Sequence, residues 1–85
     1  MKIQLYYYSQ CPFCVRVLKA IDRLNLQDLI ELKNTLEDPT NRKFHVKKTG
    51  RTTVPCLYID DEPLFESGDI VRWLEANKDS ILKEA

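Results

Sequence analysis

Apolar positions along this chain alternate between strand-like and helix-like patterns. Between Lys2 and Tyr8, Ile3, Leu5 and three consecutive tyrosines form a short β-branched and aromatic run, which predicts a buried strand. Pro12 then suits the first turn of a helix. Behind it, Cys14, Val17, Leu18 and Ile21 fall at i, i+3, i+4 and i+7, and Leu24 extends the stripe. That spacing predicts an amphipathic helix ending near Asn25. Leu29 to Leu32 is a second strand candidate. Asp38 and Pro39 open a second helix as cap and first residue. Gly50 follows its end, after the cationic Lys47 and Lys48. The apolar stripe of this second helix is thin, mostly Phe44 and Val46.

Cys56 to Ile59 reads as a third strand, Asp60-Asp61 as a turn, and Pro63 to Phe65 as a fourth strand. Proline within it suits an edge strand or a strand's first residue. Ser67 is expected to cap the last helix, with Asp69 in its first turn and Ile70, Trp73 and Leu74 on its buried face. The order βαβαββα predicts an α/β fold whose first half is a right-handed βαβ unit with parallel strands. A four-stranded mixed sheet with helices on both faces buries all these segments.

The 85 residues carry 13 Lys+Arg against 13 Asp+Glu. One domain, residues 1–85, is expected, with a radius of roughly 12 Å. Two glycines and four prolines argue against disorder. A net charge of zero argues against nucleic-acid binding. No apolar run approaches the roughly 20 residues that span a bilayer, so no membrane partner is expected. The first residues lack a signal-peptide pattern, which makes the cytoplasm the expected location. A monomer is expected.

The chemistry concentrates at Cys11-Pro12-Phe13-Cys14. A thiol at a helix N-terminus faces unpaired N–H groups and the positive end of the dipole, and both favour the thiolate. Cys11 takes that end, which is expected to be exposed. Cys14 lies one turn inside on the apolar face and should be less accessible and less ionised. Cys11 is therefore expected to attack and Cys14 to resolve. With Cys56 and His45 these cysteines make four potential zinc ligands. His45, however, sits mid-helix between Lys43 and Lys47 and is expected to be solvated or half-packed, so no metal is expected. Cys56 is expected to be a small buried strand residue.

Thr52-Thr53-Val54-Pro55 leads into the third strand. If the Val54–Pro55 bond is cis, the Val54 N–H and C=O turn out of the sheet and can pair with an extended peptide. The residues alone slightly favour a plain strand entry. Glu66-Ser67-Gly68-Asp69 starts the last helix, where a carboxylate can sit on N–H groups; a plain cap is the simpler reading. Arg42, Lys43, Lys47, Lys48 and Arg51 crowd one stretch, and Asp60, Asp61, Glu62, Glu66 and Asp69 another. Such runs are usually solvated faces, although the basic one could attract an anionic thiol substrate.

Cys11-Pro12-Phe13-Cys14, Thr49-Gly50-Arg51-Thr52-Thr53-Val54-Pro55 and Ser67-Gly68-Asp69, in this order, resemble a dithiol glutaredoxin. The likeness runs from Ile3 to Leu74. It implies a thioredoxin fold, reduction of disulfides by glutathione as co-substrate with no tightly bound cofactor, Cys11 as nucleophile and Pro55 in cis. It also implies that Phe13 shields the mixed disulfide, that Thr53, Val54 and Pro55 present backbone to the cysteinyl part of glutathione, and that Ser67 and Gly68 receive the γ-glutamyl carboxylate. Glutathionylated or disulfide-containing proteins would be the partners. Tyr8 stands where glutaredoxins often have lysine, and Phe65-Glu66 where they usually have two glycines. The pair Glu66-Ser67 is instead similar to the glutathione-binding pair of glutathione-transferase N-terminal domains. Two further classes are a glutathione-ligated iron–sulfur module and a thioredoxin-like carrier served by another reductase. A transferase is disfavoured because the chain stops soon after the last predicted helix.

Overall fold

A computed structural model describes residues 1–84. The chain runs β1 (Ile3–Tyr7), α1 (Pro12–Arg23), β2 (Glu31–Asn34), α2 (Pro39–Thr49), β3 (Cys56–Ile59), β4 (Glu62–Phe65) and α3 (Ser67–Glu84). The sheet order is β2-β1-β3-β4. β1 pairs parallel with β2 and antiparallel with β3, and β3 pairs antiparallel with β4. This is the mixed α/β thioredoxin-type sheet that the sequence predicts.

Strand alternation divides the core in two, because successive side chains point to opposite faces. Ile3 and Leu5 of β1 and Leu57 of β3 join Val17 and Ile21 of α1 and Ile70 and Leu74 of α3. Tyr6, Cys56 and Tyr58 form a second, aromatic cluster on the other face. There Tyr6 lies 5.6 Å from both Phe44 and His45 of α2, ring centre to ring centre. The helices thus cover both faces, with α1 and α3 on one and α2 on the other.

Local chemistry explains the boundaries. Asp38 accepts from the Thr40 N–H at 2.9 Å and Pro39 follows as the first residue of α2. Gly50 ends α2 at φ 74° and donates its N–H to Val46 at 2.7 Å. Asp60 and Asp61 both have positive φ, 47° and 73°, as a two-residue hairpin turn requires. Pro63 sits in β4, an edge strand, where its missing N–H costs no ladder bond.

Four predictions need correction. β2 covers Glu31–Asn34 rather than Leu29–Leu32, and Leu32 is exposed. As an edge strand β2 satisfies its ladder on one side only, while Ile30 is buried in the preceding turn. In α2 the buried residue is His45, neither solvated nor half-packed; Phe44 is exposed and Val46 half-buried. Ser67 is not a cap but the first residue of α3. Trp73 is half-buried rather than buried.

Candidate functional site

Cys11 is the N-cap of α1, with extended backbone angles and Pro12 behind it. Its Sγ accepts the Cys14 N–H at 3.4 Å. Contrary to the expected exposure, the residue is only 5% accessible. In the turn from β1 the Cys11 N–H bonds back to the Tyr8 carbonyl at 3.3 Å. Phe13 stands 63% exposed beside it.

Cys14 is fully buried. Burial pushes its thiol from an ordinary value of 9.0 up to about 12, with a further push from Cys11 and a partial offset by a backbone hydrogen bond at Tyr8. Both sulfurs thus belong to buried residues: Cys11 caps the helix, and Cys14 is held as a protonated thiol, less ionised than an ordinary cysteine as the sequence predicts. Cys56 is also fully buried, and burial pushes it up to about 11.

The Val54–Pro55 peptide is cis, as the resemblance implies, and Pro55 directly precedes β3. Thr53 is exposed, Val54 half-buried and Pro55 buried. These residues form one wall of a cleft of about 210 Å³. Phe13, Glu66 and Ser67 line it as well. Six of the seven positions named for glutathione thus converge on one cleft. Gly68 is the exception; it is half-buried next to the Arg72 guanidinium and does not line the cleft.

Two lining residues escape the sequence reading, Arg51 and Phe65. The Arg51 guanidinium lies 4.7 Å from the centre of the Phe65 ring, in cation–π range. Hairpin register could have found Phe65, because the Asp60-Asp61 turn pairs it with Cys56. Arg51 is hidden in the basic run. A second, wider groove of about 550 Å³ shares Thr53 and Val54 and is lined beyond them by Tyr8, Leu36 and Arg42. Glu66 approaches the cleft from a left-handed backbone, φ 73°, a conformation in which a side chain is strained and glycine is not. Among the described residues, no three His, Cys, Asp or Glu side chains converge as metal ligands would. No helix is long and apolar enough to cross a membrane.

Residues 5–80 match the family described as glutathione S-transferase, N-terminal domain. Glutaredoxin 1 of Rickettsia prowazekii is 32% identical over 60 residues, which are 69% of this chain and 62% of the relative. A probable glutaredoxin of Synechocystis sp. is 29% identical over 72 residues, 81% of this chain and 77% of the relative. An epsilon-class glutathione S-transferase from housefly, Musca domestica, superposes with a TM-score of 0.74 at 25% identity. That superposition covers 91% of this chain and 35% of the transferase, so the chain spans about a third of that protein.

Proposed function

The chain belongs to the glutathione S-transferase N-terminal-domain family, within the thioredoxin superfamily and related to glutaredoxins, and on that footing we propose that it is a glutathione-dependent thiol–disulfide oxidoreductase. The observation that carries this reading is the pairing of a helix-capping thiol with a buried second thiol one turn on, with Phe13 between them in sequence lining a cleft walled by the cis-Pro55 segment.

In this reading the Cys11 thiolate attacks the glutathione sulfur of a protein–glutathione mixed disulfide. A Cys11–glutathione disulfide forms, the old S–S bond breaks, and the protein sulfur leaves as thiolate and takes up a proton. A second glutathione thiolate then attacks the adduct, releasing oxidised glutathione and restoring Cys11. In the alternative resolution Cys14 loses its proton, attacks Cys11 and releases reduced glutathione. Burial of Cys14 opposes that deprotonation, which favours the monothiol route. Phe13 covers the mixed disulfide.

Glutathione lies with its cysteinyl backbone along Val54. The γ-glutamyl end occupies the cleft, where Glu66 suits its ammonium and the Ser67 end of α3 its carboxylate. The glycyl carboxylate crosses Val54 into the second groove towards Arg42. This arrangement assigns Phe13, Thr53, Val54, Pro55, Glu66 and Ser67 to the ligand, with Gly68 supporting only the helix start.

The test is reduction of a small glutathione mixed disulfide coupled to glutathione reductase. Cys11→Ser is expected to abolish turnover, and Cys14→Ser to retain it while losing reduction of protein disulfides that need both thiols. Full activity in Cys11→Ser would overturn the assignment. No activity in the wild type would overturn the glutathione reading.

A further inference from the structure

His45 is buried, 1% accessible, on the face of α2 that packs against the sheet. No step of the chemistry above uses it, yet both its ring nitrogens are engaged. Nε2 lies 2.8 Å from the Thr53 carbonyl oxygen, and Nδ1 lies 2.6 Å from the Tyr58 hydroxyl. A carbonyl can only accept, so Nε2 carries the proton. In the neutral ring Nδ1 is then a lone-pair acceptor, and the Tyr58 hydroxyl donates to it. Tyr58 keeps that proton, since burial raises it above the ordinary phenol range. Tyr6 stacks on the imidazole at 5.6 Å and Tyr58 meets it edge-on at 5.8 Å. Turning the ring over would lose both hydrogen bonds.

The Thr53 carbonyl belongs to the same planar unit as the Val54 N–H, and in a trans peptide the two point in opposite directions. The cis bond is the next one, Val54–Pro55. Holding the carbonyl inward on His45 therefore aims the Val54 N–H outward, into the space between the cleft and the groove that share Val54. We infer that His45 is a positioning residue for ligand binding: through the Thr53 carbonyl it sets the direction of the Val54 N–H that an extended peptide ligand pairs with. The identity of that ligand as glutathione rests on the function proposed above, whereas the orientation of the peptide unit does not.

Three variants and two kinds of measurement test this. His45→Leu removes the donor and keeps similar volume. His45→Gln keeps a donor for Thr53 and an acceptor for Tyr58. Tyr58→Phe removes only the hydroxyl that fixes the ring. His45→Leu is expected to raise KM for the glutathione mixed disulfide about fivefold, as loss of one oriented hydrogen bond does. Its kcat and the rate of Cys11 alkylation by iodoacetamide should stay at wild-type values. His45→Gln should restore KM, and Tyr58→Phe should lie between. Ring ¹⁵N–¹H correlation in the wild type should show a proton on Nε2.

A proton on Nδ1 instead overturns the inference, as does an unchanged KM in His45→Leu. A parallel fall of kcat and alkylation rate in His45→Leu also overturns it, because that is damage to the fold. If His45→Leu does not fold, His45→Gln and Tyr58→Phe decide: a wild-type KM in Tyr58→Phe with a raised one in His45→Gln contradicts it. If the wild type reduces no glutathione mixed disulfide, the proposed function fails, and the ring tautomer still decides the role of His45.

Discussion

At the scale of single residues, the two cysteines of the motif are separated by burial rather than by distance along the chain. Cys11 caps a helix and Cys14 is enclosed by it. A thiol pushed up to about 12 stays protonated across the neutral range, and its thiolate fraction grows only as pH climbs towards that value. In Cys11→Ser the push from Cys11 is gone but burial remains, so alkylation of Cys14 by iodoacetamide is expected to remain slow at neutral pH. Rapid labelling at neutral pH would contradict the environment described. Glu66 gives a second case. Its left-handed backbone costs a side-chain residue about 1 kcal/mol, while glycine there costs a similar amount in unfolded-chain entropy. Glu66→Gly is expected to leave stability within about 1 kcal/mol of wild type in urea denaturation. It should raise KM for the glutathione substrate about two- to fivefold, the scale of an exposed ionic contact.

At the scale of elements, α2 shows what a local pattern can and cannot reveal. Its ends are legible, because Asp38, Pro39 and Gly50 act on neighbours in sequence. The left-handed Gly50 has open space where a Cβ would go, so Gly50→Ala costs conformational strain without a clash. About 1 kcal/mol of stability loss is expected in thermal or urea unfolding, and a neutral result would mean the helix end can relax. The buried face of α2 is not legible. A hydrophobic count selects Phe44 and Val46, yet His45 packs on the sheet because Tyr58 and Thr53, 13 and 8 residues away, satisfy its nitrogens. The same limit applies to the cleft. The motifs around Cys11, Pro55 and Glu66 are readable as types, whereas Arg51 over Phe65 exists only through the β3–β4 pairing. β2 slipped by two residues for the opposite reason: an edge strand imposes few demands on its sequence.

At the scale of the whole molecule, buried acids make the fold sensitive to base. Burial raises Cys14 to about 12 and Cys56 to about 11, and also raises Tyr58 and Tyr6. The folded chain thus keeps protons that the unfolded chain releases above about pH 9. Stability from these groups is complete below that pH and is lost as pH rises through the folded values. The urea midpoint is expected to fall between pH 8 and about pH 10.5, with a shallower decline in Cys56→Ala after allowing for its cavity. A midpoint independent of pH over that range would contradict the buried ionisable core. The near-complete enclosure of Cys11, 5% accessible, has one more consequence. A residue this enclosed offers little to a disulfide lying flush with a folded surface. If the proposed activity holds, targets would be selected by protrusion: small tripeptide disulfides and cysteines lifted on loops or tails would be favoured over those embedded in a smooth surface.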